Sequence, residues 1–359
     1  MSGSTDPAYI YGNYLSRPAS INKDLENAYK LYAAELVELA NGSPILEVGS
    51  NDGLFLEFIR NENGVAVGIE PAKNLYNIAS ERNVLCVNDF VNKDSVQNSI
   101  SLVGSRPGVI LANHSFSNVE GIEEWATHLS NALKDNGYLV IQSFYQIDVL
   151  EKHMIENYNH EHLSYMTIKN TSNFFSRFGL TLEKVKHLPA KGGSIRFYFK
   201  KGEAAEKDAL TKDLISKEKY VYAHLTEYFQ ATEDFISGKR GKLNELLANI
   251  DTRSKIAAYG TSIGATVFCY QFEIENKISC FFDDDPLRQN RFAPGSGVKV
   301  LKGRSNVMND YSYIIILAPL YADAIIRNNL AYLKNGGKFV KFWPEVEIVS
   351  LSSYEAQMS

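Results

Sequence analysis

Five short apolar runs in the first 150 residues alternate with stretches of helical periodicity. A helical pattern over residues 25–39 precedes the runs, which cover residues 44–48, 65–70, 83–87, 108–113 and 137–142. Strands that are apolar along their whole length are buried on both faces, as in a parallel sheet between two layers of helices. The sequence therefore predicts an α/β domain of the Rossmann-like, doubly wound kind.

The rest of the chain predicts a helical connector and a smaller domain of the same class. Lys, Glu, Ala and Leu dominate residues 202–250, and apolar runs then recur at 255–260, 278–283, 313–318 and 338–342. We expect the following order along the chain: a lead segment (1–21), a first domain (22–202), a helical connector (203–252) and a second Rossmann-like domain (253–359).

A glycine-flanked turn follows the first predicted strand, and acidic residues stand at the ends of neighbouring strands. The turn is Gly49-Ser50-Asn51-Asp52-Gly53, Glu47 lies in the first strand, Glu70 ends the second, and Asp89-Phe90 follows the third. Ligands of doubly wound sheets bind beyond the carboxyl ends of the strands, where a turn of small residues lets the backbone approach them. An acid about 20 residues after the turn is suited to ribose hydroxyls, and Asp89-Phe90 is suited to an adenine.

The composition of the turn favours a nucleoside with an amino-acid end over a dinucleotide. A diphosphate requires very close backbone and prefers Gly-x-Gly-x-x-Gly, whereas this turn has two glycines with Asn51 and Asp52 between them. We predict S-adenosylmethionine as the cofactor, bound by Glu47, Gly49, Ser50, Asn51, Gly53, Glu70, Asp89 and Phe90. The turn of the second domain, residues 259–264, lacks such acids at the corresponding positions and is interpreted as a substrate-holding or structural part.

Two later segments carry polar groups that could take part in chemistry. His160-Glu161-His162 has its histidines two apart, so a shared metal is not expected, and we predict no metal site. A histidine oriented by a carboxylate can act as a base near neutral pH, although a polar helix cap is an alternative. Gly192-Gly193-Ser194 could bring backbone N–H groups against a ligand or could simply open a hairpin. Arg196 could bind a diphosphate or lie on the surface.

Together, these segments resemble the sugar C-methyltransferases that act on nucleotide-activated 4-keto-deoxysugars. The similar motifs are YIY at 9–11, LEVGSNDG at 46–53, GIEP at 68–71, ANH at 112–114, EHLSY at 161–165, GGSIR at 192–196, YG at 259–260, DP at 285–286, PG at 294–295 and GGKF at 336–339. The resemblance adds Pro71, Asn113 and His114 to the cofactor contacts. It implies His162 as the base, with Glu161, Tyr11 and Tyr158 nearby. It also implies that the second domain helps to hold the nucleotide-sugar.

Residues on the acceptor side depart from the family pattern. The family's zinc-binding cysteine domain is missing, which indicates a shortened form, and Asn159, Lys191, Ile263 and Pro319-Leu320-Tyr321 replace residues typical of the family. The acceptor could therefore be a different sugar, the methyl group could go to oxygen, or the chain could bind a sugar nucleotide without methylating it. The candidate acceptor contacts are Tyr9, Asn159, Lys191, Gly193, Ser194, Arg196, Tyr259 and Tyr321.

Composition excludes several other classes. The net charge of −5 offers no basic surface for nucleic acid, no apolar run approaches the roughly 20 residues of a membrane helix, and the first residues do not resemble a signal peptide. Cys86, Cys269 and Cys280 stand far apart in apolar stretches, as expected for reduced thiols. We expect a cytoplasmic protein with a small-molecule partner, one that binds neither nucleic acid nor membrane.

Overall fold

The structure, a computed structural model, describes residues 10–12, 14 and 23–358. The chain divides into two compact units. The first contains the described residues up to Val149 together with His160–His224, and the second contains Leu150–Asn159 and Leu225–Ser359. The domain boundaries drawn from the sequence at residues 22, 203 and 253 stay a prediction. The short segment Leu150–Asn159, which packs with the second unit, had no signal in the sequence.

The first unit is a sheet between helices. Its strands are β1 (Ile45–Val48), β2 (Ala66–Ile69), β3 (Leu85–Val87), β4 (Val109–Asn113), β5 (Tyr138–Phe144), β6 (Leu180–Leu188) and β7 (Ser194–Lys201). Its helices are α1 (Lys23–Ala40), α2 (Leu54–Asn61), α3 (Lys73–Glu81), α4 (Lys93–Val103), α5 (Ile122–Ala132), α6 (Gln146–Glu151), α7 (Ile168–Ser176) and α8 (Ala209–Ala223). The last two residues of α6 are assigned to the second unit.

The strand order of this sheet is β3-β2-β1-β4-β5-β7-β6. The pairs among β1 to β5 are parallel, and β7 is antiparallel to both β5 and β6. The five apolar runs therefore form the predicted parallel sheet, and the predicted Rossmann-like fold class is confirmed. The third strand is shorter than predicted, because Asn83 has a φ of 55° and belongs to the turn after α3.

The register of this sheet brings several strand ends to one edge. Val48 pairs with Ile69 and with Ala112, so β2, β1 and β4 end together. β7 runs in the opposite direction, and its first residue, Ser194, pairs with Phe144 at the end of β5. We call this side of the sheet the carboxyl edge. Consequently, the turn after β1, the end of β4 and the start of β7 all lie along it.

Apolar side chains on α1 and α2 cover one face of the sheet. Leu36 and Ile45 are fully buried in one cluster, and Tyr32 stacks on Phe55 with 5.0 Å between the ring centroids. On the other side, a second group of rings includes Phe175, which lies 4.8 Å from Phe199 of β7. Burying side chains of this size contributes roughly 1.5–3 kcal/mol each, which fixes the strands that carry the carboxyl edge.

The second unit is a smaller sheet of the same kind. Its helices are α9 (Leu225–Ala248), α10 (Ile263–Gln271), α11 (Ala322–Asn328), α12 (Leu330–Lys334) and α13 (Leu351–Met358). Its strands are β8 (Ile256–Tyr259), β9 (Phe281–Asp283), β10 (Val300–Lys302), β11 (Tyr313–Ile316), β12 (Lys338–Lys341) and β13 (Glu347–Val349).

These strands lie in the order β10-β9-β8-β11-β12-β13, and β13 is antiparallel to β12. The predicted second Rossmann-like sheet and the predicted helical stretch, which contains α8 and α9, are confirmed. The short strands β10 and β13 gave no sequence signal. No helix among the described residues combines the length and apolar character needed to cross a membrane.

Candidate active site

The turn after β1 has a backbone conformation that favours glycine at two positions. Gly49, Asn51 and Gly53 have positive φ angles of 70°, 52° and 75°. A Cβ on Gly49 would lie 2.8 Å from the Cβ of Ser115, and a Cβ on Gly53 would lie 2.6 Å from the Cγ2 of Val84. Glycine is therefore required for close packing as well as for conformation. The turn lies at the carboxyl edge, where its backbone can approach a ligand.

The carboxylate of Glu70, directly after β2, holds this turn. Its Oε2 accepts a hydrogen bond from the backbone N–H of Asn51 at 2.8 Å, and its Oε1 accepts one from Ala72 at 2.9 Å. Burial raises the pKa of Glu70, and the two backbone donors oppose the rise. The Nδ2 of Asn88 donates to the Pro71 carbonyl oxygen at 3.0 Å. Glu70 thus organises the turn, and its contact with a ribose stays a prediction.

Glu47 is a buried carboxyl group of which one oxygen lacks a hydrogen-bond partner among the described residues. It is 3% exposed, its Oε1 accepts from the Nδ2 of Asn113 at 3.2 Å, and its Oε2 has no hydrogen-bond partner among the described residues. Burial, reinforced by Glu70 and Asp52, raises the pKa of Glu47 to about 8. Asp52 is paired with Arg82 at 3.2 Å. We call Glu47, Asp52 and Glu70 the acidic side of the site.

Two other predicted cofactor contacts are packed against protein groups. The Oγ of Ser50 lies 3.5 Å from the Sγ of Cys86. Asn113 accepts from the hydroxyl of Tyr32 at 3.2 Å through Oδ1 while its Nδ2 donates to Glu47. Asn113 therefore holds Glu47 in position, and whether either residue touches a cofactor stays a prediction.

Two aromatic rings, those of Phe90 and Tyr11, lie beside the acidic side, after the end of β3. Phe90 is 38% exposed, and the ring of Tyr11 meets it edge-on at 6.1 Å. The Tyr11 hydroxyl accepts from the Nδ2 of Asn118 at 3.0 Å, and burial is the main cause that raises the pKa of Tyr11. Asp89 accepts from the backbone N–H of Phe90 at 2.8 Å. Tyr9 lies outside the described residues.

Cationic and donor groups occupy the carboxyl edge near β4, β5 and β7. The Nε and Nη2 of Arg196 donate to the Oε1 of Gln142 at 2.9 and 2.7 Å, and the guanidinium lies 3.2 Å from the centroid of the Tyr32 ring. Its Nη1 is 3.7 Å from Glu35. Arg196 is thus buried with protein partners and does not lie on the surface, and its contact with a diphosphate stays a prediction.

The turn before β7 has three consecutive residues with positive φ. Lys191, Gly192 and Gly193 have φ angles of 52°, 85° and 157°. The Nζ of Lys191 lies 5.7 Å from the centroid of the Phe144 ring, and burial of this ammonium lowers its pKa, although the residue as a whole is exposed. The Oγ of Ser194 donates to the Ala190 carbonyl oxygen at 2.8 Å. The turn therefore brings Lys191 to the carboxyl edge, while the hydroxyl of Ser194 has a protein partner.

Asp148 makes this turn specific for glycine. A Cβ on Gly193 would lie 2.0 Å from the Oδ2 of Asp148, which also lies 2.7 Å from the Nε2 of His187. We expect Gly193→Ala to lower the free energy of unfolding by about 2 kcal/mol or more, because it adds a clash to backbone strain. Gly202→Ala is the matched control, since Gly202 also has a positive φ, of 97°, but has open space around it. Equal losses in chemical denaturation of the two variants would contradict the steric argument.

The segment that carries His162 is fixed by backbone hydrogen bonds. The N–H groups of Leu163 and Ser164 donate to the carbonyl oxygen of Ser117 at 2.7 and 3.1 Å. The His162 ring then lies 5.3 Å from the ring of Phe144. Burial raises the pKa of the neighbouring Glu161, and an orienting contact between Glu161 and His162 stays a prediction. Within the described part of the chain, no cluster of three His, Cys, Asp or Glu residues could hold a metal ion.

Tyr158 and Asn159 belong to the second unit. Tyr158 is 37% exposed and lines, with Phe229 and Ile236, a cavity of about 550 Å³ within that unit. The Nδ2 of Asn159 donates to the Glu156 carbonyl oxygen at 3.1 Å. Their predicted roles stay predictions.

The turn after β8 does have an acid in the corresponding place, contrary to the sequence analysis. Asp283, the last residue of β9, accepts from the backbone N–H of Thr261 at 3.0 Å and from its hydroxyl at 2.7 Å. The expectation was wrong because the sequence did not show that the strand ending in Asp283 lies beside this turn. Tyr259 donates to Asp284 at 2.6 Å, whereas Tyr321 is 67% exposed.

Comparison with known proteins decides the class of chemistry. Residues 22–185 match a family model described as a methyltransferase domain. The chain is an S-adenosylmethionine-dependent methyltransferase. Residues 189–344 of this methyltransferase match a second model, the C-methyltransferase C-terminal domain. A curated relative, the C-methyltransferase NovU of Streptomyces niveus, is 24% identical over 354 residues, which cover 97% of this chain and 84% of the relative.

Solved structures resemble about half of the methyltransferase. The N-methyltransferase NodS of Bradyrhizobium japonicum is 15% identical, with a TM-score of 0.38, and the match covers 51% of this chain and 99% of NodS. A possible histamine N-methyltransferase of Thermotoga maritima is 16% identical, with a TM-score of 0.38 and coverage of 48% and 89%.

The acidic side fits the cofactor of this enzyme class. S-adenosylmethionine carries a sulfonium and an ammonium group, and the buried Oε2 of Glu47 has no partner within the described part of the chain. Ionising a buried carboxyl group is unfavourable unless a positive partner arrives. A diphosphate would instead meet three acids, so the residues present favour a cationic ligand.

Sequence reasoning missed three residues that shape the site. Asn118 holds the Tyr11 hydroxyl, and Asp148 and His187 form a pair beneath the Gly193 turn. Asn118 lies five residues after β4 with nothing to distinguish it from a loop residue. The Asp148 and His187 pair joins residues 39 apart, which no local pattern reveals.

Proposed function

We propose that this methyltransferase transfers a methyl group to a carbon atom next to the keto group of a nucleotide-activated keto-deoxysugar. The observation that carries the proposal is the division of one carboxyl edge into an acidic side and a side with His162, His114 and Lys191. An acidic side suits a cationic methyl donor, and a side rich in cations and donors suits an acceptor that becomes an enolate.

The cofactor supplies an electrophilic methyl group when it is bound. Glu47 would face its cationic amino-acid end, and Glu70 and Asp89 its ribose and adenine, with Phe90 covering the adenine. The turn contributes backbone at Gly49, Ser50, Asn51 and Gly53, with support from Pro71 and Asn113. Because these groups are fixed by the fold, they position the donor without further ordering, and such alignment supplies much of the rate of a two-substrate reaction.

The remaining polar groups would act on the acceptor. His162 removes the proton from the carbon next to the ketone, Glu161 orients the imidazole, and Tyr11 lies near the developing enolate. Lys191 adds positive charge on the same side. In the second unit, Tyr158, Asn159, Tyr259 and Tyr321 are the groups we propose for the nucleotide-sugar. The relative NovU is named a C-methyltransferase, which supports carbon as the methylated atom.

Product analysis with a labelled cofactor tests this function. The enzyme is incubated with S-adenosylmethionine bearing a ¹³C-methyl group and a panel of nucleotide-linked 4-keto-6-deoxyhexoses. We expect a new methyl signal bonded to carbon in the NMR spectrum of the product. A methyl signal at an oxygen-linked shift would identify an O-methyltransferase and contradict the proposal, as would binding of the cofactor without transfer to any keto-sugar.

A further inference from the structure

His114, the first residue after β4, combines a strained backbone with a buried ring nitrogen that has no partner among the described residues. Its φ is 53°, a left-handed conformation that costs roughly 1–2 kcal/mol in a residue with a Cβ. Its Nδ1 is buried and has no hydrogen-bond partner among the described residues. Leaving a buried polar group unsatisfied costs a further 1–3 kcal/mol or so. Backbone strain and an unsatisfied buried nitrogen at the same residue indicate a functional constraint.

A chain of hydrogen bonds fixes which nitrogen of His114 holds the proton. Arg196 has only donors, so its contacts at 2.9 and 2.7 Å identify the Gln142 oxygen as the acceptor. The Gln142 Nε2 must then donate to the Nε2 of His114, at 3.3 Å. A neutral imidazole that accepts at Nε2 carries its hydrogen at Nδ1. The unpartnered atom is therefore an N–H donor.

The surroundings keep this ring neutral. Burial, followed by the positive charges of Lys191, His162 and Arg196, lowers the pKa of His114 well below its ordinary value. The ring also meets Phe144 with 5.2 Å between centroids, which limits its rotation. The charges of Lys191 and Arg196, which help to keep the ring neutral, also attract an oxygen that acquires negative charge, and His162 adds a positive charge once it has taken the proton.

We propose that the Nδ1–H of His114 donates a hydrogen bond to the keto oxygen of the acceptor and stabilises the negative charge that forms there when His162 removes the neighbouring proton. This role rests on the proposed function. It differs from the cofactor contact that the sequence predicted for His114. Arg196 and Gln142 are positioning residues in this arrangement, because they act only by fixing the imidazole.

The state of the ring is measured first, in the protein without an acceptor. With ¹⁵N-labelled histidine, the His114 signals are identified by their loss in His114→Asn, among the seven histidines of the chain. We expect shifts of a neutral ring protonated at Nδ1 at pH 8 and at pH 7, and the ring should remain neutral at a lower pH than the exposed histidines of the chain do. A ring protonated at Nε2, or one that is charged at pH 7, would overturn the proposal whatever the acceptor is.

Kinetics of methyl transfer to a thymidine diphosphate-linked 4-keto-6-deoxyhexose measure the role. His114→Gly suits the left-handed backbone and removes the donor, whereas His114→Asn also suits it and keeps an amide N–H. We expect kcat to fall about 10²–10³-fold for His114→Gly, with partial recovery in His114→Asn. The KM of the acceptor and the Kd of S-adenosylmethionine should change little.

Three results would overturn this role. An unchanged kcat in His114→Gly, or a weaker Kd for the cofactor with unchanged kcat, would make His114 a structural residue or a cofactor contact. Failure of the unaltered enzyme to methylate any keto-sugar would remove the proposed acceptor and this hydrogen bond together. That failure is recognisable because the histidine spectrum would still show the neutral Nδ1–H form.

Discussion

Replacing His162 with alanine should reduce methyl transfer at least about a hundredfold, because a positioned general base contributes roughly 10²–10⁴ in rate. The imidazole lies beside Phe144, on a segment whose backbone is fixed by Ser117. The variant should therefore keep its fold and bind S-adenosylmethionine with unchanged affinity, since the acidic side is untouched. Turnover assays together with calorimetric titration of the cofactor measure the two effects separately.

His160→Ala is the matched control for this experiment. It removes an exposed histidine two residues away on the same segment and should leave kcat within a few-fold of the unaltered enzyme. Equal losses in both variants would indicate disruption of the segment, and full activity in His162→Ala would remove His162 from the mechanism.

Replacing Glu47 with glutamine should stabilise the protein without cofactor at high pH and weaken cofactor binding. Burial raises the pKa of Glu47 in the folded protein to about 8 from its ordinary value of 4.5, so ionisation opposes folding. The protonated carboxyl group contributes its full stability to the folded protein below pH 4.5, and this contribution is lost as the pH rises towards 8. The unfolding free energy of Glu47→Gln relative to the unaltered protein should therefore increase by about 3 kcal/mol between pH 5 and pH 8.

The same substitution removes the anion that a cationic cofactor would meet. A hydrogen bond to a charged group contributes about 1.5–3 kcal/mol, so we expect the Kd of S-adenosylmethionine to increase about 10–100-fold. Denaturant titrations across this pH range and calorimetry measure the two quantities. Glu81→Gln, at the exposed end of α3, should change neither. A Glu47→Gln variant that binds the cofactor normally would contradict the assigned role of Glu47.

The sequence was sufficient to predict both parallel sheets, because their central strands are apolar along their whole length and end in recognisable turns. It did not predict β6, β10 and β13, which lie at the sheet margins. None of these three strands lies in a continuous apolar run of the kind that marked the central strands. The fold can therefore be predicted from the sequence where an apolar pattern extends along a whole strand. The remaining strands are defined only by the strands with which they pair.

The candidate site was predictable only where its residues lie next to strand ends. Glu47, Glu70 and the turn at Gly49 were found in this way. The partners that give these groups their properties come from elsewhere in the chain. The burial that raises the pKa of Glu47 is a property of packing, and the contact of Arg196 with Gln142 joins residues 54 apart. Sequence position alone therefore left Arg196 either as a ligand contact or as a surface residue, whereas packing shows that it is buried against Gln142 and Tyr32.

Hydrogen exchange in the acceptor tests the central claim most directly. A thymidine diphosphate-linked 4-keto-6-deoxyhexose is incubated in D₂O with the enzyme and S-adenosylhomocysteine, which has no methyl group to transfer, and proton NMR follows the hydrogen beside the ketone. The unaltered enzyme should exchange this hydrogen well above the background rate, and His162→Ala should exchange it at background. Exchange at background in both proteins, or equally fast exchange in both, would contradict proton removal by His162 at this edge of the sheet.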